Sequence, residues 1–143
     1  MSDTPSFARP DATLLALRPA IAGQPAALPT PSTVADFQQQ VLRPLLKLQH
    51  PVLLATVADF AHDYRLPLAR PAAELQAALT ELLARNARLR ATLTGLVVGQ
   101  LTQTELAFYR PHRSELNRRL LDLAQQRVLS SLDELRQLVA AAA

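Results

Sequence analysis

The sequence predicts an all-α protein, and three observations support this. Hydrophobic residues make up 49% of the 143 residues and are mainly Leu and Ala, aromatic residues make up 4%, and there are 3 Gly. Leu and Ala favour helices, whereas a sheet protein would be richer in Val, Ile, Thr, Tyr and Phe. Apolar residues also recur at spacings of three and four, as in amphipathic helices. We expect a single bundle of five or six helices.

The first 33 residues differ from the rest of the chain. Five of the 11 prolines fall within the first 30 residues, and Pro31 follows directly. Prolines inside a helix break or kink it, so we expect a short helix after Asp11 at most, and a linker from Pro25 to Ser32. The chain therefore divides into a proline-rich arm, residues 1–33, partly helical or flexible, and a helical domain, residues 34–143.

The first long helix of the domain is predicted to begin near Thr33. Pro44 and Pro51 both fall inside its apolar pattern. An interior proline removes one hydrogen bond and costs about 3 kcal/mol unless the helix bends. We therefore expect a kink or a break near Pro51, and one bent helix and two separate helices both remain open. Pro71 is placed to begin the next helix, which is predicted to end near Asn86.

The following helix, about 87–100, has the most informative pattern in the chain. Small residues recur every four positions and form one ridge, namely Ala87, Ala91, Gly95 and Gly99. Leu and Val cover the other sides, which predicts a helix buried at the centre of the bundle. Each glycine costs about 1 kcal/mol in a helix interior, and close packing of another helix on the ridge would compensate. The alternative is a ligand or a second subunit on the ridge.

The last part of the chain is predicted to form a short helix and then a long one. Thr102 and Glu105 have the spacing of a capping box, which fixes a helix start. We expect this helix to end at Arg110-Pro111. Ser114 is then predicted to cap a long C-terminal helix, about 115–140.

Two stretches of the chain carry a family resemblance. The first runs from Phe37 to Gln49, and the second runs from Gly95 to Thr102 and leads to residues 114–119. They resemble a small family of all-helical bacterial proteins whose biochemical role is not established and whose members are sometimes labelled glyoxalase. The resemblance covers roughly residues 34–135 and implies a shared fold. Common glyoxalases hold a metal by His and Glu on a βαβββ sheet, and neither the strands nor the ligands are predicted here.

The sequence has no recognisable catalytic pattern. With 0 Cys, thiol catalysis, disulfides and Cys-based zinc sites are excluded, and neither a Gly-x-Ser-x-Gly elbow nor a Gly-rich phosphate loop occurs. The best metal-like set, Asp59, His62 and Asp63, lacks the second acid-x-x-His copy of a di-iron bundle. We therefore predict no metal and no cofactor, and we favour a non-enzymatic role while leaving enzymatic activity open.

Basic residues are concentrated in one stretch, residues 85–119, which we call the basic stretch. It holds seven arginines against Glu105 and Glu115, although the whole chain has a net charge of only +3. The turn predicted at Pro111 would place a helix N-terminus here, where free N–H groups favour an anion. The predicted anion-binding residues are Arg110, Arg113, Asn117, Arg118 and Arg119.

Three functions follow from these patterns. The first is a non-enzymatic interaction module that binds a protein partner or its own copy through surplus apolar helical surface. The second is an anion- or nucleic-acid-binding protein that uses the basic stretch from Arg85 to Arg119, with an affinity that falls with salt. The third is a small-molecule binder, with a pocket between helices near Phe60, Tyr64, Phe108 and Tyr109. We predict neither a secretory signal nor a membrane span, and hence a cytoplasmic protein.

Overall fold

A computed structural model describes residues 8–24 and 31–142, and these residues form helices and no strands. The prediction of an all-α fold is confirmed. The described residues contain seven helices, whereas five or six were predicted. They are α1 Asp11–Ala16, α2 34–48, α3 His50–Asp63, α4 Ala72–Arg85, α5 Ala87–Val98, α6 Gln103–Leu129 and α7 Leu132–Ala142. Most of the predicted linker, residues 25–30, lies outside the described residues.

The helix α6 is the centre of the bundle. It contacts α2, α3, α4, α5 and α7, and one of its faces is buried along most of its length. The residues of that face beyond the midpoint are Leu116, Leu120, Ala124 and Val128. The predicted central helix, α5, is instead buried on one face only, through Leu89, Leu93 and Val97.

Pro111 does not end a helix, so the prediction of a short helix followed by a capped long one is wrong. The 27 residues of α6 continue through Pro111, and Ser114 lies in the helix interior. Pro111 removes the hydrogen bond to the carbonyl of Ala107. Both residues are exposed, and water can donate to that carbonyl instead. The actual interruption comes later, at Ser130 and Ser131, before α7 begins.

Pro44 alters α2 without ending it. The helix consists of an α-helical Val34–Phe37, a π turn Gln38–Leu42 and an α-helical Arg43–Leu48. Pro44 has no N–H for the carbonyl of Gln40, and its ring crowds that carbonyl. The wider π turn relieves the crowding, with the N–H of Arg43 donating to the carbonyl of Gln38.

Of the kink or break expected near Pro51, the structure has a break that separates two helices. The helix α2 ends at Leu48, Gln49 lies between the helices, and Pro51 lies in the first turn of α3. Proline is tolerated there because the first turn of a helix has no internal acceptor for its N–H groups. The break makes His50 the first residue of α3.

A buried ion pair holds the described part of the arm against the bundle. Arg18 donates to both carboxylate oxygens of Glu105, at 2.6 and 2.5 Å, and the two side chains are only 8% and 9% exposed. Glu105 also completes the predicted capping box with Thr102, which is therefore confirmed. Nearby, Asp11 accepts from the N–H of Gln103. The arm thus contacts the bundle where α6 begins.

We expect Arg18→Met to lower the free energy of unfolding by about 3 kcal/mol, because it leaves the Glu105 carboxylate buried without its counter-ion. Urea denaturation followed by circular dichroism measures the loss. The matched control is Arg85→Met, which removes an exposed pair with Glu81 and should cost less than about 1 kcal/mol. Equal losses in the two variants would show that the buried pair does not stabilise the fold.

Candidate anion-binding groove

A groove lies between α2 and the second half of α6. Its cavity volume of about 510 Å³ is in the range of small-molecule sites. The lining residues are basic, amide, hydroxyl or aliphatic, and no acidic residue is among them. They are Gln38, Arg43 and Leu46 from α2, Leu123, Gln126 and Arg127 from α6, and Ser130 and Ser131 from the connection to α7.

The local structure of both helices positions these side chains. On α2, the π turn runs from Gln38 to Leu42 and ends directly before Arg43. Such turns are rare and are frequent at functional sites, because they redirect side chains within a helix. On α6, Leu123 and Arg127 are four residues apart and so share one face. The groove therefore has a guanidinium group from each of its two walls.

Arg43 and Arg127 are close enough to act on each other electrostatically. Burial lowers the pKa of Arg127, and the positive charge of Arg43 lowers it further. Within the described residues neither guanidinium pairs with a carboxylate. Arg43 instead donates to Oε1 of Gln39 at 2.9 Å, and Arg127 donates to Nδ1 of His50 at 3.3 Å. An anion in the groove would relieve this repulsion between like charges.

The two serines at the end of α6 bond to its last turn. The last carbonyls of a helix normally carry a partial negative charge. Here the hydroxyl of Ser130 donates to the carbonyl of Gln126, and the hydroxyl of Ser131 donates to that of Arg127, both at 2.8 Å. The charged side chains that line the groove are the two arginines.

The five predicted anion-binding residues lie in the middle of α6, so the predicted helix N-terminus is absent. At about 100° per residue, Arg110 and Arg119 lie on opposite sides of the helix. Arg119 donates to Gln38 at 2.8 Å and to Glu115 at 3.0 Å, and Asn117 accepts from the hydroxyl of Tyr109 at 2.5 Å. Arg110, Arg113 and Arg118 are exposed. Arg119 therefore does not share a ligand position with Arg110.

Other arginines of the basic stretch have structural partners. Arg85 pairs with Glu81 at 3.3 Å, and Arg90 donates to the carbonyl of Leu83 at 2.9 Å. The sequence reasoning missed Arg43 and Arg127, which lie outside the basic stretch. The π turn that places Arg43 has one sequence signal, Pro44, but no pattern in the sequence brings Arg43 next to Arg127.

The ridge of small residues is exposed, and the prediction that it packs inside the bundle is wrong. Ala87, Ala91, Gly95 and Gly99 are all solvent-exposed, and a Cβ atom added at Gly95 would meet nothing within 4 Å. The buried face of α5 is the opposite one. The alternative interpretation, a ligand or a second subunit on the ridge, stays a prediction.

The four aromatic residues of the predicted pocket do not line the groove. Phe60 stacks on Tyr64 with ring centroids 6.3 Å apart. Phe108 stacks between Phe37, at 5.3 Å, and His112, at 4.4 Å. Tyr109 is buried in the core. These rings are in contact with other side chains, and the cavity lies farther along α6.

Within residues 8–24 and 31–142, no three His, Asp or Glu side chains are grouped to hold a metal ion. In the same part of the chain, no helix has the length and apolarity to cross a bilayer. Comparison of the sequence with protein-family models and curated proteins, and of the structure with solved structures, finds no match. The resemblance to the glyoxalase-labelled helical family therefore stays a prediction.

We expect Gly95→Ala to raise the free energy of unfolding by about 1 kcal/mol, because alanine favours a helix interior and its methyl group meets open space here. Thermal and urea denaturation at low protein concentration measure the change. Gly23→Ala is the control, because Gly23 has a positive φ of 83° that costs a residue with a side chain about 1 kcal/mol. A loss of stability in Gly95→Ala would contradict the exposed position of the ridge.

Proposed function

We propose that the protein binds a small organic anion, carrying a phosphate or carboxylate group, in the groove between α2 and α6. The observation that carries this proposal is the approach of Arg43 and Arg127 in a cavity with no acidic lining residue. A guanidinium group presents a planar fork of N–H donors that matches phosphate and carboxylate oxygens. The family resemblance adds nothing to this proposal, since the family's role is not established.

The other lining residues favour an organic ligand over a bare inorganic ion. Leu46 and Leu123 add one apolar side chain to each wall of the groove, while Gln38, Gln126 and the two serines offer polar atoms. A ligand with a short apolar part next to its anionic group would contact both kinds of surface. A nucleic acid is less favoured for this groove, because phosphate backbones bind an extended row of cations and the groove is lined by two arginines.

We expect sulfate and a phosphorylated sugar to bind the wild-type protein, and Arg43→Gln/Arg127→Gln to weaken this binding at least tenfold, since both guanidinium forks are lost. Isothermal titration calorimetry at constant ionic strength measures the affinity. Arg85→Gln/Arg88→Gln is the matched control with the same change in net charge, and it should bind like the wild type. Equal weakening in both double variants would show only a general charge effect.

As a second candidate function, we propose that the protein self-associates through the ridge of α5, which is one form of the predicted interaction module. The specific observation is that the ridge is exposed, with open space above Gly95. Small residues at a spacing of four let two helix backbones approach closely. A ridge of this kind on a second copy of the chain would supply the matching surface.

We expect Gly95→Leu to shift such a dimer to monomer without unfolding it, because the leucine has room in the monomer but blocks the approach of a second helix. Sedimentation equilibrium over a range of concentrations measures the association. Leu138→Ala, at another partly exposed position, is the control. A wild-type protein that stays monomeric up to millimolar concentration would exclude self-association.

A further inference from the structure

We propose that His50 holds Arg127 in the ligand-free protein and couples anion binding to the uptake of a proton. This inference rests on the proposed anion-binding function and adds its regulation. The side chain of His50 is 23% exposed and lies behind Arg127, outside the residues that line the groove. It is therefore a positioning residue, which acts on the ligand through the arginine.

The contacts of the ring assign a hydrogen-bond role to each of its nitrogens. A guanidinium group can only donate, so Nδ1 of His50, 3.3 Å from Nη1 of Arg127, is the acceptor. The carboxylate of Glu134 can only accept, so Nε2, 3.1 Å away, is the donor. These roles are those of the Nε2–H tautomer, with the ring held between α6 and α7.

Protonation of Nδ1 would change both the hydrogen bond and the charge. The protonated nitrogen cannot accept from Arg127, so that guanidinium is released from the ring and is free to turn toward a ligand. The site would also hold three positive charges, from Arg43, Arg127 and His50. In the empty groove these charges repel one another, whereas a bound dianion attracts all three. Anion binding and protonation of His50 therefore favour each other.

The charged groups around His50 come from three helices. Arg127 on α6 and Glu134 on α7 contact the ring directly. Arg43 on α2 acts electrostatically on Arg127. Lys47, also on α2, donates to the carbonyl of Ala20 in the arm. An anion bound to both arginines would favour a positive charge on the neighbouring ring.

The test uses sulfate, which stays a dianion from pH 5.5 to pH 8 and does not titrate as phosphate does. We expect the wild-type protein to bind sulfate about tenfold more tightly at pH 5.5 than at pH 8, since histidine gains its charge in this range. Calorimetry in buffers of different ionisation enthalpy should show the uptake of up to one proton per sulfate at intermediate pH.

Two variants separate the role of His50 from a general effect. His50→Gln keeps an oxygen that can accept from Arg127 but cannot titrate, so we expect sulfate to bind with an affinity near the wild-type value at pH 8, changing less than about twofold with pH. His62→Gln is the control, because His62 is exposed on α3 and contacts Asp63. It should retain the tenfold dependence and the proton uptake.

The outcomes distinguish this inference from the proposed function. If neither sulfate nor the phosphorylated sugar binds at any pH, the anion-binding function itself fails. If sulfate binds in the groove but His50→Gln keeps the pH dependence, or the wild type takes up no proton, only the role of His50 is overturned. Should His50→Gln fail to fold, nitrogen chemical shifts of the wild-type ring at pH 8 decide: the Nε2–H tautomer supports the inference, and the Nδ1–H tautomer refutes it.

Discussion

The continuity of α6 past Pro111 is the constraint on which the rest of the bundle depends. An interior proline costs about 3 kcal/mol, whereas burying a single leucine side chain contributes roughly 1.5–3 kcal/mol. Beyond Pro111 the helix buries Leu116, Leu120 and Val128, which have no exposed surface at all. This packing offsets the cost of the proline, which lies on the exposed face where water can take over the lost hydrogen bond. Five other helices can then pack against one continuous helix.

The sequence predicted the helix class and several helix ends because these depend on neighbouring residues. The capping box of Thr102 and Glu105 and the break before Pro51 are local chemistry, and both are present. The face that α5 buries is not local. Leu89, Leu93 and Val97 form a stripe about 200° from the ridge around the helix. The sequence contains both stripes, and only the position of α5 against α6 decides that the leucine stripe is buried and the ridge is exposed.

The candidate site could not be predicted from the sequence, because it also depends on which helices pack together. Seven arginines are close together along residues 85–119, but a continuous helix turns neighbouring residues to different sides. Arg119 consequently bonds to Gln38 and Glu115, while Arg110 lies on the opposite side of α6. Arg43 and Arg127 are far apart along the chain, and they meet only because α2 packs against α6. In a helical protein, residues that are close in sequence need not be close in space. A binding site needs side chains that are close in space.

The prolines of α2 and α3 show how local disruption builds a site in such a bundle. Pro44 accounts for the π turn that ends before Arg43, and Pro51 begins the helix whose first residue is His50. A regular helix through residues 34–63 would carry both side chains at fixed angles set by 100° per residue. The turn and the break remove that constraint, so that Arg43 lines the groove while His50 reaches Arg127 and Glu134. The two prolines that interrupt the predicted helix therefore shape the backbone that places Arg43 in the groove and His50 beside Arg127.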